Sequence, residues 1–236
     1  MIDGIKVVAF DADDTLWENE AYFQEFETNF CKMVGCYVTS EQASAELLRT
    51  EMRNLHLYGY GAKGMMLCMI ETVCKVAKEE NGLKAVQEIL KLGHELLQTP
   101  VEILPGVETV LSALTKKYQL VLATKGDLLD QERKIRKSGI QHYFDRIEVM
   151  SDKTLTDYQK MIDGIGCKPQ EFLMIGNSIK SDIEPVLAIG GHAVHIPHHI
   201  TWQYETQIDD SVSHEFIRLE KIEEVSHLLT SMVMIV

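Results

Sequence analysis

The sequence predicts an α/β protein: a doubly wound, Rossmann-like parallel-sheet core into which an all-helical cap domain is inserted. Three observations predict this class. An apolar run at 5–10 ends in a dense group of acidic residues, as expected of a buried strand that leads into a ligand site. The stretch 19–98 then carries apolar residues at helical spacing. From residue 107 onward, strand-like and helix-like segments alternate, which favours parallel strands joined by helical crossovers.

The inserted block is predicted to contain four helices, each with apolar residues that recur every three or four positions. The predicted helices are 19–34, 40–55, 63–80 and 83–98. Ser40 is the predicted N-cap of the second helix, because its hydroxyl can accept a hydrogen bond from an unpaired backbone N–H. Pro100 and the Pro105-Gly106 pair mark the end of the block.

The remainder of the chain is predicted to complete the sheet. The predicted strands are 119–123, 146–150, 171–175, 192–196 and a small one at 215–217. The predicted helices are 107–117, 128–137, 154–165, 179–189 and 219–231. The strand at 5–10 must pair within the same sheet, because a single strand cannot bury its faces. We therefore expect a core of 1–18 and 100–236, with a cap domain of 19–99.

Composition and charge exclude several classes of function. The formal net charge of −13 disfavours nucleic acid and anionic membrane surfaces as partners, since both need an excess of Lys and Arg. No apolar stretch is long enough to span a bilayer. The five cysteines form no CxxC pair, and the sequence shows no signal peptide. These features predict a cytoplasmic protein with free thiols, and they leave its oligomeric state open.

The acidic group after the first strand predicts chemistry. Asp11, Asp13 and Asp14 lie within four residues, and such a group is costly at a strand end unless a cation or a reaction uses it. Oxygen ligands of this kind suit Mg²⁺. The alternative is a helix start with Asp13 or Asp14 as N-cap, which would account for one carboxylate but not for all three.

Polar residues also follow the later strands of the predicted sheet. Thr124-Lys125-Gly126 provides a hydroxyl, an ammonium group and backbone N–H groups suited to an anion, although an N-cap and turn would use the same residues. Lys153 follows the next strand, and Asp182 lies a few residues beyond the strand after that. Each signal is weak alone. Their recurrence at successive strand ends predicts one crevice at the carboxyl edge of the sheet.

These segments resemble the four ordered motifs of the haloacid dehalogenase-like (HAD) phosphohydrolase superfamily. The matching segments are DADDT, LATKGD, SDKT and GNSIKSD, and the helical block resembles the mobile cap of one subgroup. The resemblance implies that Asp11 is the nucleophile and that Asp13 is the general acid/base and a metal ligand through its backbone carbonyl. It also implies that Thr124 and Lys153 hold the phosphoryl group and that Asp182 binds Mg²⁺.

Three positions refine the resemblance. Asp13 favours phosphate ester cleavage over dehalogenation, because an alkoxide leaving group needs a proton and a halide does not. Asn177 stands where the family usually carries Asp, so we expect weaker magnesium binding, with the amide holding a metal-bound water. Thr154 stands where Pro commonly follows the family's Lys, which makes Lys125 a rival of Lys153 for the phosphate.

The sequence thus predicts a magnesium-dependent phosphatase that acts on a small phosphorylated metabolite through an aspartyl-phosphate, beneath a closing cap. A phosphomutase of the same superfamily is one alternative. A phospho-accepting receiver-like domain is another, disfavoured by the position of Asp11 after the first strand and by the long helical insertion.

Four histidines of the C-terminal part, His192, His195, His198 and His199, resemble a metal cluster. His192 and His195 would point to opposite faces of a strand, however, so we expect polar residues near the substrate rather than a shared ion.

Overall fold

The computed structural model describes residues 4–77, 79–206 and 216–231 and contains a six-stranded sheet. Every pairing in this sheet is parallel. The strands are β1 (Val7–Phe10), β2 (Gln119–Lys125), β3 (Arg146–Met150), β4 (Phe172–Gly176), β5 (His192–His195) and β6 (Ile217–Arg218). Their order across the sheet is β3-β2-β1-β4-β5-β6, which confirms the predicted doubly wound, Rossmann-like class. Receiver-like domains follow the flavodoxin-like order 2-1-3-4-5, so the topology opposes that alternative.

Nine α-helices are present in the described part of the chain. They are α1 (Glu20–Met33), α2 (Ser40–Tyr58), α3 (Ala62–Val76), α4 (Glu79–Gln98), α5 (Val107–Leu114), α6 (Leu128–Ser138), α7 (Leu155–Ile165), α8 (Glu184–Ala188) and α9 (Glu224–Ser231). A π-helical turn, Ile179–Ile183, directly precedes α8. None of the helices that the structure describes has both the length and the apolar character needed to cross a bilayer.

The two faces of the sheet bury separate apolar clusters, as period-2 alternation requires. Val8 and Phe10 of β1 pack into one cluster, together with residues of α5 and α9. Val7 and Ala9 of the same strand pack into the other, with residues of α7 and α8. Because both faces are covered by helices, the central strands β1, β2 and β4 are apolar on both sides, which explains their continuous hydrophobic runs.

Some predicted boundaries are wrong for identifiable reasons. Strand β2 continues to Lys125, because β3 runs beside it to the end and pairs Thr124 with Val149. The predicted helix 179–189 begins as the π-helical turn, since Pro185 in the first turn of α8 has no N–H for a continuous α-helical ladder.

The N-cap of α2 is Thr39 rather than Ser40. The Thr39 hydroxyl accepts from Gln42 N–H, and the Gln42 side chain accepts from the Thr39 N–H, which forms a capping box. Smaller differences affect the ends of the predicted helices 63–80, 83–98, 107–117 and 219–231, which are observed as α3, α4, α5 and α9. Residue 78 and residue 215, at the start of the small predicted strand, lie outside the described residues.

The chain divides into two compact units. One comprises Met1–Glu20, Val101–Lys125 and Gln131–Val236 and contains the sheet. The other comprises Ala21–Pro100 and Gly126–Asp130 and contains helices α1 to α4 around an apolar cluster of its own. The predicted boundaries differ from this division, because they had assigned 126–130 to the core. The role of the helical unit as a cap stays a prediction.

Candidate active site

Four predicted site residues lie at the carboxyl ends of four adjacent strands. Asp11 directly follows β1, and its N–H donates to the carbonyl of Ile175 in β4 at 2.9 Å. Thr124 is the buried penultimate residue of β2, Lys153 lies three residues beyond β3, and Asp182 follows β4 on the π-helical turn. The parallel register brings these strand ends to the same edge of the sheet.

Lys153 connects the two carboxylates that were predicted to share a cation. Its ammonium donates to Oδ1 of Asp11 and, at 2.6 Å, to Oδ1 of Asp182. The side chains of Lys153 and Asp182 are both 1% exposed. Since one ammonium bonds both oxygens, Asp11 and Asp182 are close enough for a single ion to contact both.

Burial and neighbouring charge act in opposite directions on the pKa values of Asp11 and Lys153. Burial raises the pKa of Asp11 from 3.8 to about 7, and the neighbouring charge of Lys153 offsets only part of that rise. Burial alone would lower the pKa of Lys153, but Asp11 and Asp182 together raise it well above 10.5. The site therefore holds a permanent cation beside a carboxylate that is hard to ionise without further positive charge.

The π-helical turn fixes Asp182 over the end of β4. Ser178 N–H donates to Asp182 Oδ2 at 3.0 Å, and the buried Tyr158 hydroxyl donates to the Ser181 carbonyl at 3.0 Å. Oδ2 packs directly on Gly176, where a Cβ atom would lie 2.2 Å from it. Gly176 is thus required by close approach of the carboxylate and not by an unusual backbone angle.

Asn177 and Asp11 are linked by Thr15, whose hydroxyl lies near the side-chain oxygens of both. The Thr15 hydroxyl is 3.3 Å from Asp11 Oδ2 and 3.4 Å from Asn177 Oδ1, within reach of either acceptor. His195 of β5 holds the backbone at Asn177, because its Nε2 contacts the Asn177 carbonyl at 2.9 Å. Burial lowers the pKa of His195, so the ring serves as a neutral donor there.

Asp13 is held by three donors, none of which sequence reasoning predicted as its partner. Trp17 Nε1 and Lys134 Nζ donate to Oδ1 at 2.6 and 2.5 Å, and Gln131 Nε2 donates to Oδ2 at 2.8 Å. Burial alone would raise the pKa of Asp13, but the charge of Lys134 and these hydrogen bonds lower it below 3.8. The three-residue spacing of Gln131 and Lys134 on α6 was the available signal, because it places both on one helix face.

Asp14 supports the start of α1, but it is not the N-cap of the alternative interpretation, because it lies six residues before Glu20. Its carboxylate accepts from the N–H groups of Asn19 and Glu20, both at 2.9 Å. The backbone of Asp14 has a φ of 62°, which is unusual for a residue other than glycine. Burial raises its pKa to about 7.

Lys125, the rival of Lys153, is directed to other partners. Its ammonium bonds Glu205 and, at 2.7 Å, the Ser181 hydroxyl. Gly126 has a φ of 133°, a conformation that side chains rarely adopt, so the chain turns there directly after β2. The geometry therefore places Lys153, and not Lys125, against Asp11.

The residues at this edge fit a hard divalent cation. Asp11 and Asp182 are two carboxylates that one ion could contact, and Asn177 Oδ1 is a neutral oxygen that shares the Thr15 hydroxyl with Asp11. The Asp13 carbonyl stays a predicted ligand. The raised pKa of Asp11 supports this fit, because a buried carboxylate keeps its proton when too little positive charge lies nearby, and a cation would supply that charge.

Comparison with known families agrees with this geometry. The sequence model described as haloacid dehalogenase-like hydrolase matches residues 5–190, which include every strand from β1 to β4 and all the site residues that the sequence predicted. The chain belongs to the haloacid dehalogenase-like hydrolase family. A crystal structure of a family hydrolase from Xanthomonas campestris is 34% identical, covers 97% of this chain and 96% of its own, and has a TM-score of 0.82. The predicted family and enzyme class are thereby confirmed.

Two curated relatives are named as phosphatases. Glyceraldehyde 3-phosphate phosphatase of Methanothermobacter thermautotrophicus is 25% identical over 84% of this chain and 88% of its own. N-acylneuraminate-9-phosphatase of Rattus norvegicus is 30% identical over 36% of each chain. These relatives support a phosphoric monoester hydrolase.

Dehalogenases share the fold. A 2-haloacid dehalogenase structure from Pseudomonas syringae has a TM-score of 0.62 at 17% identity, which is a likeness of fold alone. Fold therefore leaves the choice between the two reactions to the residues of the site.

Proposed function

We propose that this protein is a magnesium-dependent phosphatase that hydrolyses small phosphomonoesters through an aspartyl-phosphate on Asp11. The observation that carries the proposal is the contact of one buried ammonium, Lys153, with both Asp11 and Asp182 at the carboxyl edge of the sheet. Relatives named as phosphatases of glyceraldehyde 3-phosphate and of N-acylneuraminate 9-phosphate support the reaction class.

Asp11 is the proposed nucleophile. Its carboxylate lies at the end of the central strand β1, beside the Lys153 ammonium, which would also pair with phosphoryl oxygens. Attack on phosphorus forms an acyl phosphate and expels the substrate's alkoxide. Lys153 and the buried Thr124 are the proposed partners of the phosphoryl group, with Lys125 and Gly126 at its margin.

The ion would be held by Asp11, the Asp13 carbonyl and Asp182, with Asn177 acting through a water. When bound, Mg²⁺ supplies the positive charge that lets a carboxylate approach a phosphate dianion. The amide of Asn177 contributes no charge, so the proposed site has two carboxylates and weaker magnesium affinity than a site with three.

Asp13 is the proposed general acid/base, and its surroundings favour one half of that role. Lys134, Gln131 and Trp17 stabilise its ionised form, which suits the removal of a proton from water in the second step. For the first step Asp13 must carry a proton to the leaving oxygen. An arriving phosphate raises its pKa by like-charge repulsion, in opposition to Lys134.

The proposed metabolite partner and the mechanism are tested together by phosphate release from a panel of phosphorylated metabolites, with and without Mg²⁺. Asp11→Asn should abolish phosphate release. It should also prevent phosphoryl labelling of the peptide that contains residue 11 when the reaction is quenched with acid. Asp163→Asn, an exposed carboxylate on α7, is the matched control and should retain activity.

Three outcomes would contradict the proposal. Phosphate release that survives Asp11→Asn would rule out the nucleophile, and release that is independent of Mg²⁺ would rule out the metal. Isomerised sugar phosphate without free phosphate would identify a mutase instead. The cytoplasmic location also stays a prediction of the sequence.

A further inference from the structure

A second group of ligating side chains lies outside the proposed phosphatase chemistry. Glu18, His198 and His199 each place one ligand atom within 4.8 Å of the other two, and we call them the Glu-His-His cluster. All three belong to the unit that contains the sheet. Glu18 follows the first motif, and the histidines lie in the segment after β5. None of the three has a role in the proposed hydrolysis.

Two buried atoms of this cluster lack hydrogen-bond partners within the described residues. They are His198 Nε2 and Glu18 Oε1. The His198 side chain is only 7% exposed, so water has little access to it. Burying a polar atom without a hydrogen-bond partner costs free energy, and such atoms are rare in native proteins. A ligand bound between these side chains would satisfy both atoms.

The contacts on the other side of the His198 ring orient Nε2 as an acceptor. Nδ1 lies 3.0 Å from the Ile200 carbonyl and 3.6 Å from Asp14 Oδ1, and a longer contact of 3.4 Å joins it to the Ile200 N–H. The Ile200 carbonyl, which makes the shortest of these contacts, favours a proton on Nδ1, whereas carboxylates lie at similar distances from both nitrogens, Asp14 at 3.6 Å from Nδ1 and Glu18 at 3.5 Å from Nε2. The lone pair is then on Nε2, as in metal-bound histidines whose other nitrogen donates to a carbonyl or carboxylate.

The spacing and ligand types fit a borderline transition metal. His198 Nε2 is 3.5 Å from Glu18 Oε2. Ligands about 2.1 Å from a tetrahedral zinc ion are about 3.4 Å apart, so this pair already has suitable spacing. Two imidazoles and one carboxylate form a set that zinc uses with an open fourth position, whereas Mg²⁺ prefers oxygen alone.

We infer that Glu18, His198 and His199 form a binding site for a divalent transition-metal ion of the zinc type, separate from the proposed magnesium site. This inference departs from the sequence-based expectation, in which the histidines were substrate-adjacent polar residues. A protonated His198 between Asp14 and Glu18 is the competing explanation. Its contacts of 3.6 and 3.5 Å, however, exceed the roughly 2.7–2.9 Å typical of charge-assisted hydrogen bonds.

The test is a titration of the full-length, chelator-treated protein with Zn²⁺ by calorimetry, in excess Mg²⁺ to fill the oxygen site. Co²⁺ absorption then reports the ligand types. Glu18→Gln and His199→Gln remove one proposed ligand each, and His199 is exposed, so its loss should leave folding intact. His142→Gln, another exposed histidine of the same unit, is the matched control.

We expect one Zn²⁺ per chain, affinity weakened at least about tenfold in both ligand variants, and no change in the control. No binding beyond Mg²⁺ would overturn the inference in favour of the protonated histidine. Binding that is insensitive to Glu18→Gln and His199→Gln, or Co²⁺ spectra with thiolate charge-transfer bands, would overturn it in favour of the free cysteines.

Discussion

The charge of Asp11 should lower the free energy of unfolding, so an Asp11→Asn variant should be more stable than the wild type wherever Asp11 is ionised. Asparagine has nearly the same volume, and its oxygen can still accept from Lys153. What the substitution removes is a buried ionisable group whose pKa rises from 3.8 to about 7 on folding. Because the proposed nucleophile must be charged in order to attack, its burial trades stability for function.

The sign and size follow from proton linkage. Between pH 3.8 and about 7 the unfolded chain has released the Asp11 proton and the folded protein retains it. The free energy of unfolding of the wild type therefore falls as pH rises through this window. The window spans roughly three pH units at about 1.4 kcal/mol each, so the loss attributable to Asp11 is ~4 kcal/mol. The variant has no such loss.

Urea unfolding in metal-free buffer between pH 4 and pH 8 measures this difference. Both tryptophans, Trp17 and Trp202, belong to the unit that contains the sheet, so their fluorescence reports unfolding of that unit. We expect the variant's excess stability to increase by ~4 kcal/mol up to about pH 7 and then to stay constant. Asp163→Asn should follow the wild-type curve.

A difference between variant and wild type that does not change with pH would refute the reasoning, since it would mean that Asp11 is ionised equally in both states. Added Mg²⁺ gives a second check. It should stabilise the wild type more at pH 8 than at pH 5, because protons and the cation compete for the same carboxylate.

Three further predictions concern the surroundings of the site. Lys134→Gln removes the cation that lowers the pKa of Asp13, so the limb of the pH–rate profile that depends on Asp13 should move upward by about 1–3 pH units. Asn177→Asp adds a negative charge near the proposed ion and should tighten Mg²⁺ binding about tenfold in a calorimetric titration. Gly176→Ala places a Cβ 2.2 Å from Asp182 Oδ2, so thermal unfolding should show a loss of about 1–3 kcal/mol, with weaker Mg²⁺ binding.

Each of these predictions has a control or a contradicting result. Lys137→Gln, exposed on the same helix as Lys134, should leave the pH profile unchanged. Unaltered Mg²⁺ affinity in Asn177→Asp would place that side chain away from the ion. Full stability and affinity in Gly176→Ala would show that the turn after β4 can move aside.

The site illustrates how one fold supports two reactions. The dehalogenase from Pseudomonas syringae has a comparable backbone, so strand order alone carries no information about the bond that is cleaved. In this chain the residue two positions after Asp11 is a carboxylate, a group that can exchange a proton with a leaving oxygen or a water, and three donors stabilise its ionised form. That chemical feature, and not the sheet, favours phosphate ester cleavage over dehalogenation.

The sequence by itself determined the family, the alternation of strands and helices, and the strand ends at which Asp11, Thr124, Lys153 and Asp182 lie. These features follow from short-range periodicity and from the rule that parallel strands present their carboxyl ends on one edge. Short-range patterns also explain the errors. Strand β2 gained two residues from its pairing with β3, and Pro185 broke a helix that apolar spacing alone favoured.

Only the tertiary structure decided which side chains meet. Lys134 reaches Asp13 across 121 residues of sequence, and Lys125 was directed to Glu205 across 80. His198 faces Glu18 from the segment after β5. Such contacts depend on how strand register and helix rotation place distant residues, and side-chain type reveals neither. The physical reason is that local periodicity fixes which face a residue occupies, whereas packing of the whole unit fixes its neighbour on that face.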